Sequence, residues 1–188
     1  MVFGGDGYSE EWHREAASRG LENLPTTADA LPVMQRPEVV ELFDRHGVLT
    51  PVELASRFEV YSEQYVLAIE VEARLALHIA RTQIYPVAMR YLSDLVQSQK
   101  VQAEAGLNPS TEIQNNCAAL IAKMLESATA LESAAENPPH GTNEHMRHCA
   151  DTVLPLLEQL REAVDGLEGV VDDNLWPLPT YQEMLFMR

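Results

Sequence analysis

Apolar residues recur at intervals of three and four residues along most of the chain, a period typical of amphipathic α-helices. Three segments show it, and the second is the clearest. Their apolar positions are Tyr61, Tyr65, Ile69, Leu75, Ala76 and Ile79; Ile113, Cys117, Leu120, Ile121, Met124, Ala128 and Leu131; and Met146, Cys149, Val153, Leu156, Leu157, Leu160, Val164 and Leu167. No convincing alternation typical of β-strands occurs. We therefore predict an all-α protein.

Capping residues and prolines mark the ends of the long helices. Residues 50–53, TPVE, form a capping box with proline at the first helical position. No glycine occurs from residue 49 to 105, so this stretch predicts either one very long kinked helix or two stacked helices, with the bend just before Pro86. Asn108 and Thr142 are the predicted caps of the next two helices. Pro155 predicts a kink in the last.

Short turns between the long helices predict an up-down-up bundle. This bundle forms the predicted domain of residues 50–188, and its tail is expected to be extended from Trp176 to Pro179. Thr180 and Glu183 can form a capping box for a final turn. The sequence WPLP also resembles a ligand of partner domains, but a tryptophan packed over the end of the bundle explains it more simply.

The first 49 residues predict short helices. Ser9 can cap a helix that stops at Gly20, a single turn can start at Thr26 or Thr27, and Pro37 suits the first position of another helix. We treat residues 1–49 as a separate short-helix segment.

Composition limits the classes of partner. The chain has 188 residues, with 29 Asp and Glu against 13 Lys and Arg, so its formal net charge is -16. This charge repels nucleic acid and anionic lipid surfaces. No apolar run reaches the roughly 18 residues of a membrane span, and no signal peptide opens the sequence. We expect a cytoplasmic protein that binds neither nucleic acid nor membrane.

Residues 3–12, FGGDGYSEEW, raise the question of a phosphate-binding loop. Such a loop needs a preceding strand and usually a lysine at the start of the helix. Here Asp6, Glu10 and Glu11 lie beside the glycines and no lysine is near. Three carboxylates would repel phosphate, so the segment predicts a turn that leads into a capped helix.

The most metal-like cluster is HMRHC, in which His145, His148 and Cys149 recur at helical spacing. Zinc would need a fourth ligand, for which Glu144 and His140 are the near candidates. Without a C-x-x-C pair, we expect Cys149 to face the core and both histidines to flank it at the solvent boundary.

Two other kinds of residue could carry chemistry. His78 is interpreted as a helix-surface residue beside an ion-pair ladder rather than a general base. Cys117 and Cys149 are predicted to lie about 18 Å apart on antiparallel helices, beyond disulfide reach, as reduced buried thiols. We therefore predict no catalytic, cofactor-binding or metal-binding residue in this chain.

Several stretches of the sequence identify a protein family more specifically than the spacing of apolar residues does. They are VFGGDGYSEEWHREAASRGLENLPTT, ALP, YSEQYVLAIEVEA, ARTQIYPVAMRY and LWPLPTYQEMLF. From Val2 to Phe186 the chain resembles the C-terminal part of the type III glutamine synthetases, the long bacterial form of the enzyme. DDNLWPLPTYQEMLF is the most specific piece.

The resemblance implies a parent enzyme that condenses glutamate with ammonia using ATP and Mg or Mn, in a large ring-built oligomer. The family's metal, ATP and substrate residues lie upstream of the matched region, so it assigns no catalytic residue to this chain. Residues 1–49 would join a missing upstream catalytic domain, with Met1 as an added start. Loss of that domain would leave an apolar face near residues 21–49 exposed for self-association.

The function expected from the resemblance is that of a non-catalytic helical domain that contacts the catalytic domain and neighbouring subunits, with homo-oligomers possible. An alternative is a free-standing acidic helical adaptor. A third is a metal-dependent helical-bundle enzyme built on His145, His148 and Cys149.

Overall fold

The computed structural model describes residues 4–185, apart from the side chains of residues 181 and 182, and its elements are all helical. They are α1 (Glu10–Ser18), α2 (Thr27–Ala30), a 3-10 helix (Leu31–Gln35), α3 (Pro37–Arg45), α4 (Pro51–Ile79), a π-helical turn (Ala80–Ile84), α5 (Tyr85–Glu104), α6 (Glu112–Glu136), α7 (Thr142–His148), a second π-helical turn (Cys149–Val153), α8 (Leu154–Glu168) and α9 (Tyr181–Leu185). The described residues form no strand, which confirms the predicted all-α class.

Both internal prolines follow a π-helical turn. The N–H of Tyr85, just before Pro86, bonds to the carbonyl of Ala80, and the N–H of Leu154, just before Pro155, bonds to the carbonyl of Cys149. Proline lacks an N–H and its ring collides with the carbonyl four residues earlier. The wider turn removes that conflict. Helix α4 therefore continues through Pro86 into α5 as one helix of 54 residues, which decides between the two predicted alternatives.

Cross-helix contacts establish the up-down-up course. Arg81 pairs with Glu132, and the side chain of Gln99 donates to the carbonyl of Ser110, so α6 runs antiparallel to the long helix. Lys123 pairs with Glu162 at 3.1 Å. His148 lies 2.9 Å from the carbonyl of Ala134, so the α7–α8 segment runs antiparallel to α6.

One hydrophobic core joins the long helices within residues 63–188, a compact unit distinct from residues 1–62. Its fully enclosed members include Ala73, Ile84, Cys117, Leu131 and Leu167. The division between the two units falls inside α4. The proposed functional boundary between residues 49 and 50 stays a prediction.

The predicted core face of α4 is partly wrong. Ile69 is buried, but Tyr61 and Leu75 are 42% and 55% exposed. Ala73 on α4 and Ala80 in the π-helical turn that follows it are buried instead. Small side chains let helices approach closely, so the contact follows residue size as well as hydrophobicity.

Three details of the later helices also differ from expectation. Ile113 is 55% exposed and lies in the first turn of α6, which begins at Glu112. Asn108 is not the cap, since Thr111 occupies that position, and Ser110 Oγ accepts from the N–H of Glu112. Thr142 is the first residue of α7, and Gly141, at φ 108°, stands before it.

The short N-terminal helices begin as predicted. The Ser9 side chain accepts from the N–H of Trp12, and Thr26 forms a capping box with Asp29. Pro37 starts α3, and Gly20 and Gly47 adopt positive φ after α1 and α3. In the described part of this unit, the buried side chains are Ala28, Leu54, Phe58 and Ser62.

The tail packs its tryptophan into the core. Trp176 is 9% exposed and belongs to the core cluster, with Leu175 and Leu178 half-buried against it. The Thr180 N–H donates to the Glu183 carboxylate at 2.9 Å, and the Glu183 N–H donates to Thr180 Oγ1 at 3.3 Å, as the second capping box requires. The extended polyproline geometry stays a prediction.

Candidate functional site

The N-terminal glycine segment is described from Gly4 onward, so Phe3 lies outside the described residues. The Asp6 carboxylate accepts from the N–H of Tyr8 at 2.9 Å, and the Asp6 carbonyl accepts from the Ser9 hydroxyl at 2.7 Å. The Asp6 carboxylate therefore already binds a backbone N–H of this turn. A phosphate-binding loop would leave such N–H groups free to bind the phosphate. The segment is a turn that leads into α1, as predicted.

The three residues of HMRHC point to different partners. Cys149 is 1% exposed in the core. His148 Nε2 lies 2.9 Å from the Ala134 carbonyl, and this distance indicates an Nε2–H donor. His145 Nε2 lies 3.3 Å from the Glu70 carboxylate. Cys149 faces the core and both histidines are half-buried, which is the arrangement expected from the sequence.

Between residues 4 and 185, no group of three or more His, Cys, Asp or Glu side chains is arranged to hold a metal ion. That no residue binds a metal or cofactor stays a prediction. His140 and Glu144, the proposed additional ligands, are both exposed. His78 is also exposed, and two ion pairs, Arg74–Glu70 and Arg81–Glu132, lie beside it on the helix surface.

Both cysteines are free and buried, as predicted. Burial raises the pKa of the Cys149 thiol from 9.0 to about 11, and the Glu70 carboxylate adds to the shift. Burial also raises the pKa of Cys117. Because thiolates are the reactive form, burial favours the protonated, less reactive thiol at both positions.

An apolar groove of about 400 Å³ lies between the long helix and α8. Sequence reasoning did not find it. Its apolar lining is Ala76, Ile79, Ala80, Ile84, Leu154, Leu157, Leu160 and Val164, with Glu72, Glu158 and Arg161 as its charged members. One π-helical turn lies in its wall and the other ends at its edge, so the paired prolines 86 and 155 are the sequence signal nearest to it.

Two carboxylates belong to the lining of this groove, one on each wall. Glu72 stands on the α4 wall and Glu158 on the α8 wall, both exposed. Within the described residues, neither has a hydrogen-bond or ion-pair partner. Arg161, the cation of the lining, lies 3.6 Å from Asp165 on its own helix. The groove therefore combines an apolar floor with unneutralised negative charge.

Apolar side chains are also exposed in residues 21–52. Leu21, Leu42, Val48 and Val52 are 52%, 47%, 62% and 79% exposed, and Leu24 is 36% exposed. All but Val52 lie within residues 21–49, and a common apolar face formed by them stays a prediction. In the part of the chain that the structure describes, no helix has the length and apolar character needed to cross a membrane.

The structure is that of an all-α domain with a groove that has an apolar floor and two exposed glutamates. Sequence comparison identifies the family to which this domain belongs. The family described as "Glutamine synthetase C-terminal domain" matches residues 1–103. The chain belongs to this family.

Three curated relatives align with nearly the whole chain. The chain is 30% identical over 198 residues to the type-3 glutamine synthetase of Dictyostelium discoideum, covering 100% of this chain. It is 31% identical to a glutamine synthetase of Bacteroides fragilis and 30% identical to one of Butyrivibrio fibrisolvens, with 99% of the chain covered in each. The chain spans 27% of the length of each relative.

Proposed function

We propose that this chain acts as the non-catalytic helical C-terminal domain of a type-3 glutamine synthetase, where it braces the catalytic domain or contributes subunit contacts. The parent enzyme would join ammonia to glutamate using ATP and Mg or Mn. The observation that carries the proposal is the alignment of 99–100% of the chain with 27% of three glutamine synthetases.

The exposed apolar side chains in residues 21–52 support a contact role. Leu42 and Val48 expose 47% and 62% of their surface, at a free-energy cost that burial against a partner would remove. Leu42 lies on α3, which begins at Pro37, and Val48 directly follows the turn at Gly47, so both side chains are presented on formed structure.

A chimera tests the proposal. The C-terminal 27% of the Bacteroides fragilis enzyme is replaced by this chain, and a truncated enzyme that lacks the segment serves as the matched control. We expect the chimera to recover the assembly state and glutamine formation that truncation loses. A chimera that behaves like the truncated enzyme would contradict the proposal.

Two further measurements separate the proposal from the alternatives. The purified chain alone is expected to form no glutamine from glutamate, ammonia, ATP and Mg²⁺. Genomic sequence upstream of codon 1 is expected to continue into a catalytic reading frame, whereas a ribosome-binding site and stop codon there would favour the acidic adaptor. Stoichiometric zinc or iron in the purified chain would favour the metal-dependent enzyme.

A further inference from the structure

The groove between the long helix and α8 has the chemistry of a protein-docking site. Its floor is aliphatic, and its volume of about 400 Å³ falls within the range of pockets that bind ligands. Ile79 and Leu157 line it while remaining half-buried. The floor is thus apolar surface that intramolecular packing leaves partly open.

An exposed apolar row on α4 starts at Ile79 in this floor and continues beyond the groove lining. Val71, Leu75 and Ile79 follow one another at intervals of four residues, so they lie along the same helix face. Val71 and Leu75 are 53% and 55% exposed. On the opposite wall Leu154 is 38% exposed. The apolar track is therefore elongated along the helices, a shape that suits a helix laid lengthwise better than a compact small molecule.

The charges select the occupant. Glu72 and Glu158 stand on opposite walls without a partner in the described structure, and Arg161 is held by Asp165. A second copy docked groove to groove would place glutamates against glutamates, so it does not suit this surface. A helix laid along the groove could place one basic side chain beside each glutamate, and these pairs would make the contact charge-selective.

We propose that this groove binds an amphipathic helix that carries an apolar stripe flanked by Lys or Arg, supplied by the part of the parent enzyme outside this chain. The source of the helix rests on the proposed function, because the chain spans 27% of its relatives' length and the remainder would provide the segment. The apolar-and-basic chemistry rests on the groove alone.

The first experiment needs only the purified chain. The probe is a synthetic peptide of about 18 residues with leucines at helical spacing and flanking lysines, and its matched control has glutamates in place of the lysines. We expect the basic peptide to bind and the acidic one not to bind, by fluorescence anisotropy. Equal binding of both peptides, or of neither, overturns the proposal.

Charge reversal locates the contact. The double variant Glu72→Lys/Glu158→Lys is expected to weaken basic-peptide binding by about tenfold, because it replaces two attractions with repulsions. Glu63→Lys is the matched control, since Glu63 is exposed on the same helix about two and a half turns away, on the opposite face. An equal effect of Glu63→Lys would show general charge attraction and overturn the assignment to the groove.

The second experiment uses the chimeric enzyme. Glu158→Cys is labelled with a maleimide in the isolated chain and in the chimera, while Cys117 and Cys149 stay unreactive because they are buried. We expect labelling to slow by more than about tenfold in the chimera, as water is excluded from a docked contact. Glu63→Cys should react equally in both. Unchanged labelling of Glu158→Cys in an assembled chimera overturns the docking proposal.

The two experiments fail independently. A chimera that does not assemble contradicts the proposed function, while selective binding of the basic peptide to the isolated chain would still support the groove chemistry. An assembled, active chimera with a freely labelled groove contradicts the docking proposal and leaves the proposed function supported.

Discussion

The two compact units hold their helices by different means. In residues 63–188, buried side chains of the long helix, α6 and α8 form one core that also includes Trp176. In residues 1–62, the described buried side chains are few, and several large apolar ones, such as Val48 and Val52, are exposed. One unit thus depends on shared burial, whereas the other shows well-formed local caps with little core of its own.

This difference suggests where each unit obtains its stability. Packing of an amphipathic face, rather than local propensity, supplies most helical stability in proteins. The unit of residues 63–188 contains such packing. The other unit has caps at Ser9 and Thr26 and an ion pair between Glu22 and Arg36 at 2.8 Å, and exposed ion pairs contribute little. Contacts with a partner would be expected to stabilise it further.

The largest expected effect is in the core of residues 63–188. Leu131→Ala should reduce the free energy of unfolding by about 2–5 kcal/mol, because Leu131 is fully buried and its removal leaves a cavity. Urea unfolding followed by circular dichroism measures it. Leu120 and Leu157 were also predicted as core residues from the sequence, but they are only partly buried. Their substitution by alanine should therefore reduce the free energy of unfolding by less. A loss below about 0.5 kcal/mol at Leu131 would contradict the described core.

Alkaline pH should weaken the same core. The folded pKa of Cys149, about 11, lies above its ordinary value of 9.0, so the folded state retains a proton that the unfolded state loses. The protonated Cys149 thiol thus contributes to the free energy of unfolding. This contribution is fully present below pH 9 and is lost as pH rises toward 11, by an amount of order 2 kcal/mol. Urea unfolding at pH 8 and pH 11, in the wild type and in Cys149→Ala, measures it as a difference. An identical pH dependence in both proteins would contradict it.

Local signals in the sequence predicted helix ends better than helix contacts. The side chains of Ser9, Thr26 and Thr50 cap helices by hydrogen bonds to residues three positions further along the chain. Each of these caps is present in the structure. The core face of α4 was harder because apolar residues occur on several of its sides. Leu75 is exposed and Ala73 is buried because of how closely the neighbouring helices approach α4. The local sequence pattern of α4 contains no information about that distance.

The histidine cluster and the groove show the same limit. The separate contacts of His145 and His148 agree with the interpretation from spacing, because a helix fixes which residues share its faces. The groove went unrecognised because its walls come from segments about 80 residues apart, Glu72 to Ile84 and Leu154 to Val164. Prolines 86 and 155 indicated irregular helix, but not that the two irregular turns lie near one groove.

The close contact between α6 and α8 predicts an effect of intermediate size on stability. A Cβ added to Gly166 would lie 2.8 Å from Leu120 Cδ2, across the α6–α8 contact. Gly166→Val should therefore destabilise the protein by about 1–3 kcal/mol through overpacking. Gly169→Val is the control, because a Cβ there meets only backbone oxygens at 3.6 Å or more.

The double variant Gly166→Val/Leu120→Ala identifies the cause. If the Leu120 side chain is the obstacle, the two substitutions together should cost less than the sum of their separate effects, as a double-mutant cycle measures. Additive costs would show that Gly166→Val acts through another neighbour.

The smallest expected effect on stability concerns the other unit. Leu42→Ser/Val48→Ser should change the free energy of unfolding by less than about 0.5 kcal/mol per site, because both side chains are largely exposed. The same variant should reduce self-association of the isolated chain in sedimentation velocity, since it removes apolar surface available to a second copy.

Leu107→Ser is the matched control for that variant, since Leu107 is 61% exposed between α5 and α6 and lies outside the N-terminal unit. It should leave self-association unchanged. In the chimera, Leu42→Ser/Val48→Ser should weaken assembly if these side chains contact the remainder of the enzyme. A large loss of stability in the isolated chain would instead mean that Leu42 and Val48 support the unit's own fold, and the contrast between the two units would then be wrong.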